Sequence, residues 1–393
     1  MKQSWEIKKF EELIQENQIG LIKSTKEQAN NKPFRYLKMD SITSDNNLIH
    51  DKYVFVDATK DEIEKFKLND GDFLFNTRNS YELVGKTCVF SPIDDEPTLF
   101  NNNIMRVVFK KGISSRFINY AFSSEQVKKR LQRLKSGTTS VVGIYYNGLR
   151  NLEIPLPPLP EQQLIVSILD EAFAAIAKAK ANAEQNLKNA KELFESYLQG
   201  VFEKKGDGWE EQLLEDCFKM KSGDNLTAKN MTEGEYPVFG GNGIAGYHNE
   251  YNLSGSNVII GRVGALCGNV RHIAEKIWLT DNAFKVVDFK FDFDHSFLTF
   301  LLNHKDLRSY ARQAAQPVIS NSSLKDVVLN FPKSIETQKT IVRQLDALRA
   351  ETQKLEAVYQ KKIADLEELK KSILQKAFAG ELKNEKELEY VSK

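Results

Sequence analysis

The sequence predicts an α/β protein in which two globular domains alternate with two long helices. Three observations support this fold class: a tandem repeat, a heptad pattern within each copy of the repeat, and mixed strand and helix patterns before each copy. The 393 residues are enough chain for two or three domains. The composition agrees with a soluble globular protein, because 41% of the residues are hydrophobic and 28% are charged.

The repeat is the strongest internal signal. EQQLIVSILD at Glu161–Asp170 returns as TQKTIVRQLD at Thr337–Asp346, and SYLQGVF at Ser196–Phe202 returns as SILQKAF at Ser372–Phe378. Both matches have the same offset of 176 residues, so two segments correspond at both ends without an internal gap. Self-similarity of this kind predicts a tandem repeat with pseudo-two-fold symmetry.

Each copy of the repeat predicts one long helix, the first over residues 161–205 and the second over residues 336–380. Apolar residues recur in steps of three and four, with glutamate and lysine on the other faces, which is typical of a coiled coil. Each helix would be roughly 60 Å long at 1.5 Å per residue. Because an exposed helix of that length is not stable alone, we expect the two to pack on each other. The alternative is two separate amphipathic helices, each lying on its own domain.

A proline-rich segment, IPLPPLPEQQ at Ile154–Gln163, precedes the first helix, and a thinner version, NFPKSIETQ at Asn330–Gln338, precedes the second. Proline stiffens an extended chain and is tolerated in the first turn of a helix. We interpret both segments as structural lead-ins to the helices. The alternative is a ligand for a proline-binding module, which the immediate start of a helix disfavours.

The domains before the helices, residues 1–160 and 206–335, resemble each other faintly, and residues 381–393 form a C-terminal tail. Both domains begin with a Trp-Glu pair, at Trp5 and at Trp209. Both then carry a strand-like run that ends on glycine, an apolar helix and a strand that leads to proline. The chain is therefore a globular head followed by a long helix, twice over.

A glycine-rich stretch in the second domain, YPVFGGNGIAGYH at Tyr236–His248, has the G-x-G-x-x-G spacing of dinucleotide-binding folds. That fingerprint needs a helix that opens at its last glycine, but YHNEYNLSGSN after Gly246 is rich in turn formers. We therefore expect a loop whose backbone approaches a partner closely, since glycine has no Cβ. A nucleotide-using enzyme built on the Gly241 loop stays as an alternative.

The sequence contains no recognisable set of catalytic residues. Its five histidines and three cysteines lack metal-ligand spacing, and there is no G-x-S-x-G elbow and no Walker loop. The N-terminus lacks the apolar core of a signal peptide, and no apolar run reaches the roughly 20 residues of a membrane span. We expect a cytoplasmic protein that binds no membrane, no metal and no cofactor of its own.

Loops rich in arginine, lysine, asparagine and serine are the candidates for binding a partner. In the first domain, VKKRLQRLKSGTTS has five basic residues within eight and no acid among them, which suits contacts to phosphates. The alternative is a solvated charged face. Arginine, asparagine and lysine also pair with guanine and adenine edges in the major groove of DNA. The candidate DNA contacts are Asn76, Thr77, Arg78, Asn79, Ser80, Lys86, Lys129, Arg130, Arg133, Thr138, Ser140, Asn242, Tyr247, His248, Arg262, Arg308, Arg312, Ser320 and Asn321.

PLPPLPEQQLIVSILD, TQKTIVRQLD, FNTRNSYELVGKT, YPVFGGNGIAGYH and IIGRVGALCGNV together resemble the specificity subunit of a Type I restriction–modification enzyme. The resemblance covers the whole chain, as two target-recognition domains that alternate with two long helices. It implies that the helices pack as an antiparallel coiled coil, that each domain reads one half of a split DNA target, and that the helices set the unread spacer. A rod of roughly 60 Å spans about 18 base pairs at 3.4 Å each. The second lead-in departs from the family pattern, because it is reduced to FPKS, and this leaves the shape of that linker open.

The resemblance also implies a division of labour between subunits. This chain reads double-stranded DNA without catalysis, two methyltransferase subunits supply the S-adenosylmethionine chemistry on adenine, and motor-nuclease subunits are possible further partners. The helix positions expected to bind the methyltransferase subunits are Phe173, Ile176, Leu187, Phe194, Leu345, Leu355, Leu366 and Ile373. The alternative from another class is a coiled-coil adaptor with protein-binding heads.

Overall fold

A computed structural model describes residues 5–138, 141–204, 206, 208–312 and 316–382 of the chain. The chain divides into two compact units, Met1–Asn182 with Lys362–Lys393, and Ala183–Lys361. Each unit therefore contains one globular head together with part of both long helices. We call the heads head 1 (residues 5–158) and head 2 (residues 208–334).

The first unit is built on three small sheets and a strand pair. Its strands are β1 (Glu6–Lys9), β2 (Ile14–Ile19), β3 (Phe34–Leu37), β4 (Val54–Val56), β5 (Phe73–Asn76), β6 (Arg78–Asn79), β7 (Thr87–Val89), β8 (Thr98–Phe100), β9 (Ile104–Phe109), β10 (Ser136–Gly137), β11 (Val142–Gly143) and β12 (Glu153–Leu156). Its helices are α1 (Phe10–Leu13), α2 (Lys60–Phe66), α3 (Ser115–Ser123), α4 (Glu125–Gln132), α5 (Tyr146–Leu149) and the first part of α6 (Leu159–Glu203). The sheets have the strand orders β2-β9-β5-β7, β4-β3-β8 and β10-β11-β6, and β1 pairs with β12.

The core of head 1 lies between the four-stranded sheet and helix α3. Strand β5 reads FLFN and is buried along its whole length, as expected of a central strand that is covered on both faces. Phe10, Phe73, Phe109 and Phe122 pack there with ring centroids 5.3–6.4 Å apart. The loop after β5 thus emerges from a buried, closely packed sheet.

The second unit repeats this plan with fewer strands. Its strands are β13 (Trp209–Leu213), β14 (Lys219–Ser222), β15 (Tyr236–Gly240), β16 (Gly243–His248), β17 (Asn257–Gly261), β18 (Val270–Ile273), β19 (Trp278–Leu279), β20 (Ala283–Val287) and β21 (Val328–Pro332). Its helices, besides the end of α6, are α7 (Leu214–Cys217), α8 (His295–His304), α9 (Asn321–Leu324) and the first part of α10 (Ile335–Phe378). The sheets have the orders β14-β20-β17-β18 and β16-β15-β19, and β13 pairs with β21. Strand β17 takes the place of β5 and is flanked by β18 and β20.

Helices α6 and α10 pack on each other in both units, and they run antiparallel. In the first unit, the early part of α6 meets the late part of α10, where Lys180 forms an ion pair with Glu367. In the second unit, the hydroxyl of Tyr197 donates to Oε1 of Gln344 at 3.3 Å, so the late part of α6 meets the early part of α10. The predicted antiparallel coiled coil is confirmed, and the alternative of two separate helices is wrong.

A buried glutamine attaches each head to the start of its long helix. In head 1, the side chain of Gln162 accepts from the backbone N–H of Ser114 (2.9 Å) and donates to the carbonyls of Pro157 (2.8 Å) and Gly112 (3.3 Å). Ser114 is the residue that caps helix α3, so the glutamine ties α3 to α6.

The matching glutamine of the repeat makes the matching bonds in head 2. Gln338 accepts from the N–H of Asp294 (2.8 Å) and donates to the carbonyls of Pro332 (2.9 Å) and Asp292 (3.1 Å). Asp294 caps helix α8 as Ser114 caps α3. Both glutamines are at most 1% exposed. The repeat therefore preserves how each head is fixed to its helix.

Candidate nucleic-acid interface

In head 1, the structure brings together two loops that lie far apart in the sequence. The loop after β5 pairs with the segment that directly follows the basic stretch, since β6 lies beside β11 with Arg78 opposite Gly143 and Asn79 opposite Val142. The N–H of Ile144 also donates to the carbonyl of Thr77 at 2.9 Å. The two loops thus form one small surface carried by the sheet β10-β11-β6.

Two pairs of a cation and an aromatic ring lie on this surface. The guanidinium carbon of Arg78 is 5.5 Å from the centroid of the Tyr145 ring, and the ammonium of Lys135 is 4.3 Å from that of Tyr81. Tyr81 is 53% exposed and Tyr145 is 49% exposed, so both rings are open to a ligand. Partial burial lowers the pKa of Lys135. The two tyrosines were missed in the sequence, although each lies within a few residues of a predicted loop.

Three of the predicted contacts in this loop point inward. Asn76 and Thr77 are buried, and the amide of Asn76 donates to the carbonyls of Arg78 and Asn103, both at 3.0 Å. Lys86 donates to the carbonyl of Met39 at 2.9 Å and to that of Ile42, and burial lowers its pKa. These side chains support the loop from inside the head, whereas Arg78 is exposed and Asn79 and Ser80 are half-buried.

The basic stretch of head 1 is partly neutralised by acids from its surroundings. Lys129 pairs with Glu125 at 2.5 Å, and Arg130 pairs with Glu153 at 3.1 Å. The second partner is far away in the sequence, so the absence of acids within the stretch did not predict it. Arg133 and Thr138 are exposed. The predicted contact Ser140 lies outside the described residues.

Head 2 assembles a matching surface from its own two loops. The N–H of Ile319 donates to the carbonyl of Arg262 at 2.9 Å, as Ile144 donates to Thr77 in head 1. Val263 then pairs with Val318. This register makes Arg262 the counterpart of Thr77, and Val263 the counterpart of Arg78.

The side chain of Arg262 is turned partly into the head. One of its terminal nitrogens donates to the carbonyl of Asp281 (3.3 Å) and to the hydroxyl of Ser222 (3.4 Å), and its guanidinium carbon lies 5.3 Å from the Phe284 ring centroid. The other predicted contacts near this loop differ in exposure and in their hydrogen bonds. Arg308 and Arg312 are exposed, Ser320 caps helix α9 with its hydroxyl, and Asn321 donates to the carbonyl of Met220 at 3.3 Å.

The glycine-rich stretch of head 2 forms the hairpin of β15 and β16, and strand β16, which begins at Gly243, runs through the last glycine, Gly246, where the fingerprint needs a helix. A Cβ added to Gly241 would lie 1.9 Å from the carbonyl oxygen of Val263, so the glycine lets this hairpin touch the loop after β17. Asn242 supports the same contact, because its Oδ1 accepts from the N–H of Leu266 at 2.9 Å. The close partner of the backbone is therefore this protein's own loop, and the nucleotide-using alternative is not favoured.

The side chains at the end of the hairpin differ in exposure. His248 is 7% exposed, and its Nδ1 accepts from the N–H of Thr232 at 3.0 Å. Tyr247 is 54% exposed.

Across the described ranges, no group of three or more His, Cys, Asp or Glu is placed to hold a metal ion. Nor does any described helix combine the length and apolar character needed to cross a membrane.

Comparison with known proteins identifies a family for both halves of the chain. The family model of the Type I restriction modification DNA specificity domain matches residues 2–188 and again residues 206–367. The specificity subunit of the Type I restriction enzyme EcoprrI from Escherichia coli is 31% identical over 228 residues, a match that covers 54% of this chain and 56% of that protein. The chain thus spans about half the length of that relative. The putative MjaX specificity subunit from Methanocaldococcus jannaschii is 23% identical over 97% of this chain and 94% of its own length.

Solved structures agree on the fold. The HsdS subunit from Thermoanaerobacter tengcongensis superposes with a TM-score of 0.62 at 19% identity, over 97% of this chain and 98% of its own. A chain from a study of complex assembly and conformational transition in a type I R-M system superposes with a TM-score of 0.72 at 18% identity, over 97% of this chain and 99% of its own.

Proposed function

This chain belongs to the Type I restriction modification DNA specificity family, and on that premise we propose that it is the DNA-reading subunit of such an enzyme. It has no catalytic activity of its own. Head 1 and head 2 each read one half of a bipartite, asymmetric DNA target. The observation that carries the proposal is that both heads assemble two loops into one exposed surface by the same backbone bonds, but with different side chains.

Within each surface, exposed polar side chains contact DNA and buried ones support them. The proposed contacts are Arg78, Ser80, Arg133, Thr138, Tyr247, Arg308 and Arg312, together with Ser140. Asn76, Thr77, Asn79, Lys86, Asn242, His248 and Arg262 hold the loops in shape, because their side chains are buried or hydrogen-bonded within the heads. Four further residues lie beside the loops with their side chains engaged within the heads. Lys129 and Arg130 form ion pairs, Ser320 caps helix α9, and Asn321 donates to the carbonyl of Met220.

The helices dock the partners that carry out the chemistry. Ile176 and Leu345 are 3% and 0% exposed, so they hold the chain together, whereas Leu355 and Val358 on α10 are 39% and 58% exposed. We assign the binding of two methyltransferase subunits to such exposed apolar positions. The other expected positions, Phe173, Leu187, Phe194, Leu366 and Ile373, are half-buried, and Phe173, Phe194 and Ile373 pack against the hydrophobic cores of the two units. Those subunits bind S-adenosylmethionine and methylate adenine, and motor-nuclease subunits are further partners of the same complex.

The proposal is tested by producing the chain with its methyltransferase subunits in a host whose genome is then sequenced for adenine methylation. We expect methylation at one split, asymmetric sequence, and none when this chain or the methyltransferase is produced alone. Methylation by the chain alone would disprove the non-catalytic role. Methylation without sequence preference would favour the rival hypothesis, in which the heads bind protein.

Replacing both Arg308 and Arg312 by alanine is expected to weaken binding of the complex to every duplex. Both side chains are exposed on head 2, and each neutralised phosphate adds about 0.9 to the slope of log K against log salt concentration. Binding should therefore become less dependent on salt, and the magnitude of the slope should decrease by about two. Fluorescence anisotropy from 50 to 200 mM salt measures it. Lys290→Ala is the control, because this exposed lysine of head 2 pairs with Asp216 at 3.6 Å. An unchanged slope would remove both arginines from the interface.

Aspartate at both Leu355 and Val358 is expected to abolish co-purification of the methyltransferase subunits. The charges would be buried without partners in the complex, yet cost the free chain little because both positions are exposed. Gln353→Asp controls for a new acid in the same exposed helix. Unimpaired co-purification of the double variant would place the docking surface elsewhere.

A further inference from the structure

The backbone bonds of the two heads define equivalent positions in the two reading loops. Gly85 and Gly268 both have positive φ, and their N–H groups donate to the carbonyls of Asn76 (2.9 Å) and Gly261 (2.7 Å). With Thr77 and Arg262 equivalent as described, the next position of each loop is Arg78 in head 1 and Val263 in head 2. The backbones of the two loops therefore correspond residue by residue over positions 76–78 of head 1 and 261–263 of head 2.

The residues around this position diverge as well. Arg78 lies opposite Gly143, while Val263 lies opposite Val318. Two residues further on, Tyr145 precedes helix α5 in head 1, and Ser320 precedes helix α9 in head 2. An arginine, a glycine and a tyrosine in head 1 thus correspond to two valines and a serine in head 2.

In head 1 these three residues form one stacked arrangement. A Cβ added to Gly143 would lie 2.6 Å from the Tyr145 ring, so the ring rests on the glycine and a larger residue there would displace it. The guanidinium of Arg78 lies beside the same ring, with 5.5 Å between its central carbon and the ring centroid. The tyrosine therefore restricts the rotamers of Arg78 before any ligand binds, which reduces the entropy lost on binding.

The donors of Arg78 remain available for a ligand. Its side chain is exposed, and among the residues that the structure describes no acidic side chain forms an ion pair with it. Lys129 and Arg130, by contrast, are paired with glutamates. A guanidinium that packs against an aromatic ring keeps its N–H donors, and its planar fork matches an acceptor pair in one plane.

We propose that Arg78, positioned by Tyr145 on Gly143, reads a guanine in the half-site of head 1, and that head 2 reads no guanine from the equivalent position. This inference rests on the proposed function. Arginine binds O6 and N7 of guanine in the major groove through two parallel hydrogen bonds, whereas apolar side chains such as Val263 and Val318 suit the methyl group of thymine. The difference between the heads makes the target asymmetric.

The test compares four variants of the full chain, each in complex with its methyltransferase subunits, by selection from a randomised DNA duplex library. Arg78→Ala and Arg78→Lys should each reduce discrimination at one G·C pair of one half-site by about 10- to 100-fold, and leave the other half-site unchanged. Tyr145→Leu should reduce discrimination at the same base pair, because the guanidinium loses its support. Tyr145→Phe keeps the ring and should keep the discrimination.

Arg150→Ala is the matched control, since this arginine of head 1 pairs with Glu11 at 3.1 Å, and its selected sequence should equal that of the unchanged chain. If Arg78→Ala weakens binding equally for all sequences and lowers the salt slope, while Arg78→Lys restores both, Arg78 contacts a phosphate and the inference is wrong. It is also wrong if discrimination is lost at an A·T pair, or if Tyr145→Leu changes nothing. A complex of the unchanged chain that selects no sequence at all would instead overturn the proposed function.

Discussion

Deleting one heptad from each long helix is expected to shorten the preferred DNA spacer by about three base pairs while both half-sites stay the same. Seven helical residues correspond to about 10 Å, and base pairs rise about 3.4 Å each. Residues 181–187 of α6 and 359–365 of α10 are suitable, because the deletion leaves the contacts of Lys180 with Glu367 and of Tyr197 with Gln344 intact. It also keeps the exposed Leu355 and Val358, to which we assign methyltransferase docking. The two segments are antiparallel partners and remain in phase, since seven residues make nearly two full turns. Genome-wide mapping of adenine methylation measures half-sites and spacer together.

The matched control removes the same heptad from only one helix. The partner helices would then lose register over half their length, and we expect loss of the folded chain rather than a new spacer. A paired deletion that methylates the original target with its original spacer would refute the idea that the helices act as a ruler. A paired deletion that changes a half-site would instead mean that the helices help shape the heads.

Replacing Gln162 by leucine is expected to lower the free energy of unfolding of head 1 by about 3 kcal/mol. The variant leaves the N–H of Ser114 and the carbonyls of Gly112 and Pro157 without their partner in a buried place. Because chains of more than one unit seldom unfold in one step, hydrogen exchange measured by mass spectrometry should follow each head separately. Protection should fall in α3 and at the start of α6, and not in head 2.

Gln163→Leu is the control for this experiment. It makes the same substitution at the neighbouring, exposed glutamine of the same helix, so the change in helix propensity is the same. Gln338→Leu should reproduce the loss of protection in head 2 alone, at α8 and the start of α10. If Gln162→Leu and Gln163→Leu lower the protection of head 1 equally, the hydrogen bonds of the buried Gln162 amide do not stabilise the head. A loss of protection spread over both heads would contradict local attachment.

Much of the fold was predictable because it depends on local periodicity. The heptad pattern and the lack of proline within each copy of the repeat predict long helices, and the tandem repeat together with the faint similarity of the two domains predicts two similar heads. The glutamines are visible in the repeat as EQQ and TQK, but their role is not, since it depends on carbonyls from segments such as Gly112 and Asp292 that lie far away in the sequence.

The candidate site was predicted less completely for the same reason. The loops around Arg78 and Arg262 were identified from their residue types, but residue types do not reveal which way a side chain points. The structure turns Lys86 and Arg262 toward backbone carbonyls inside the heads. It also places Tyr145 beside Arg78, a contact across two strands that no sequence spacing predicts.

By itself, the sequence determined the order of heads and helices, the two-fold repetition and the family to which the chain is similar, because these properties are carried by periodicity and by motifs that are continuous along the chain. Only the tertiary structure decided which loops meet, which arginine is exposed, and that Arg78 corresponds to Val263 rather than to Arg262. The physical reason is that the register between strands depends on backbone hydrogen bonds between distant segments, and a shift of one residue reverses the face on which a side chain lies.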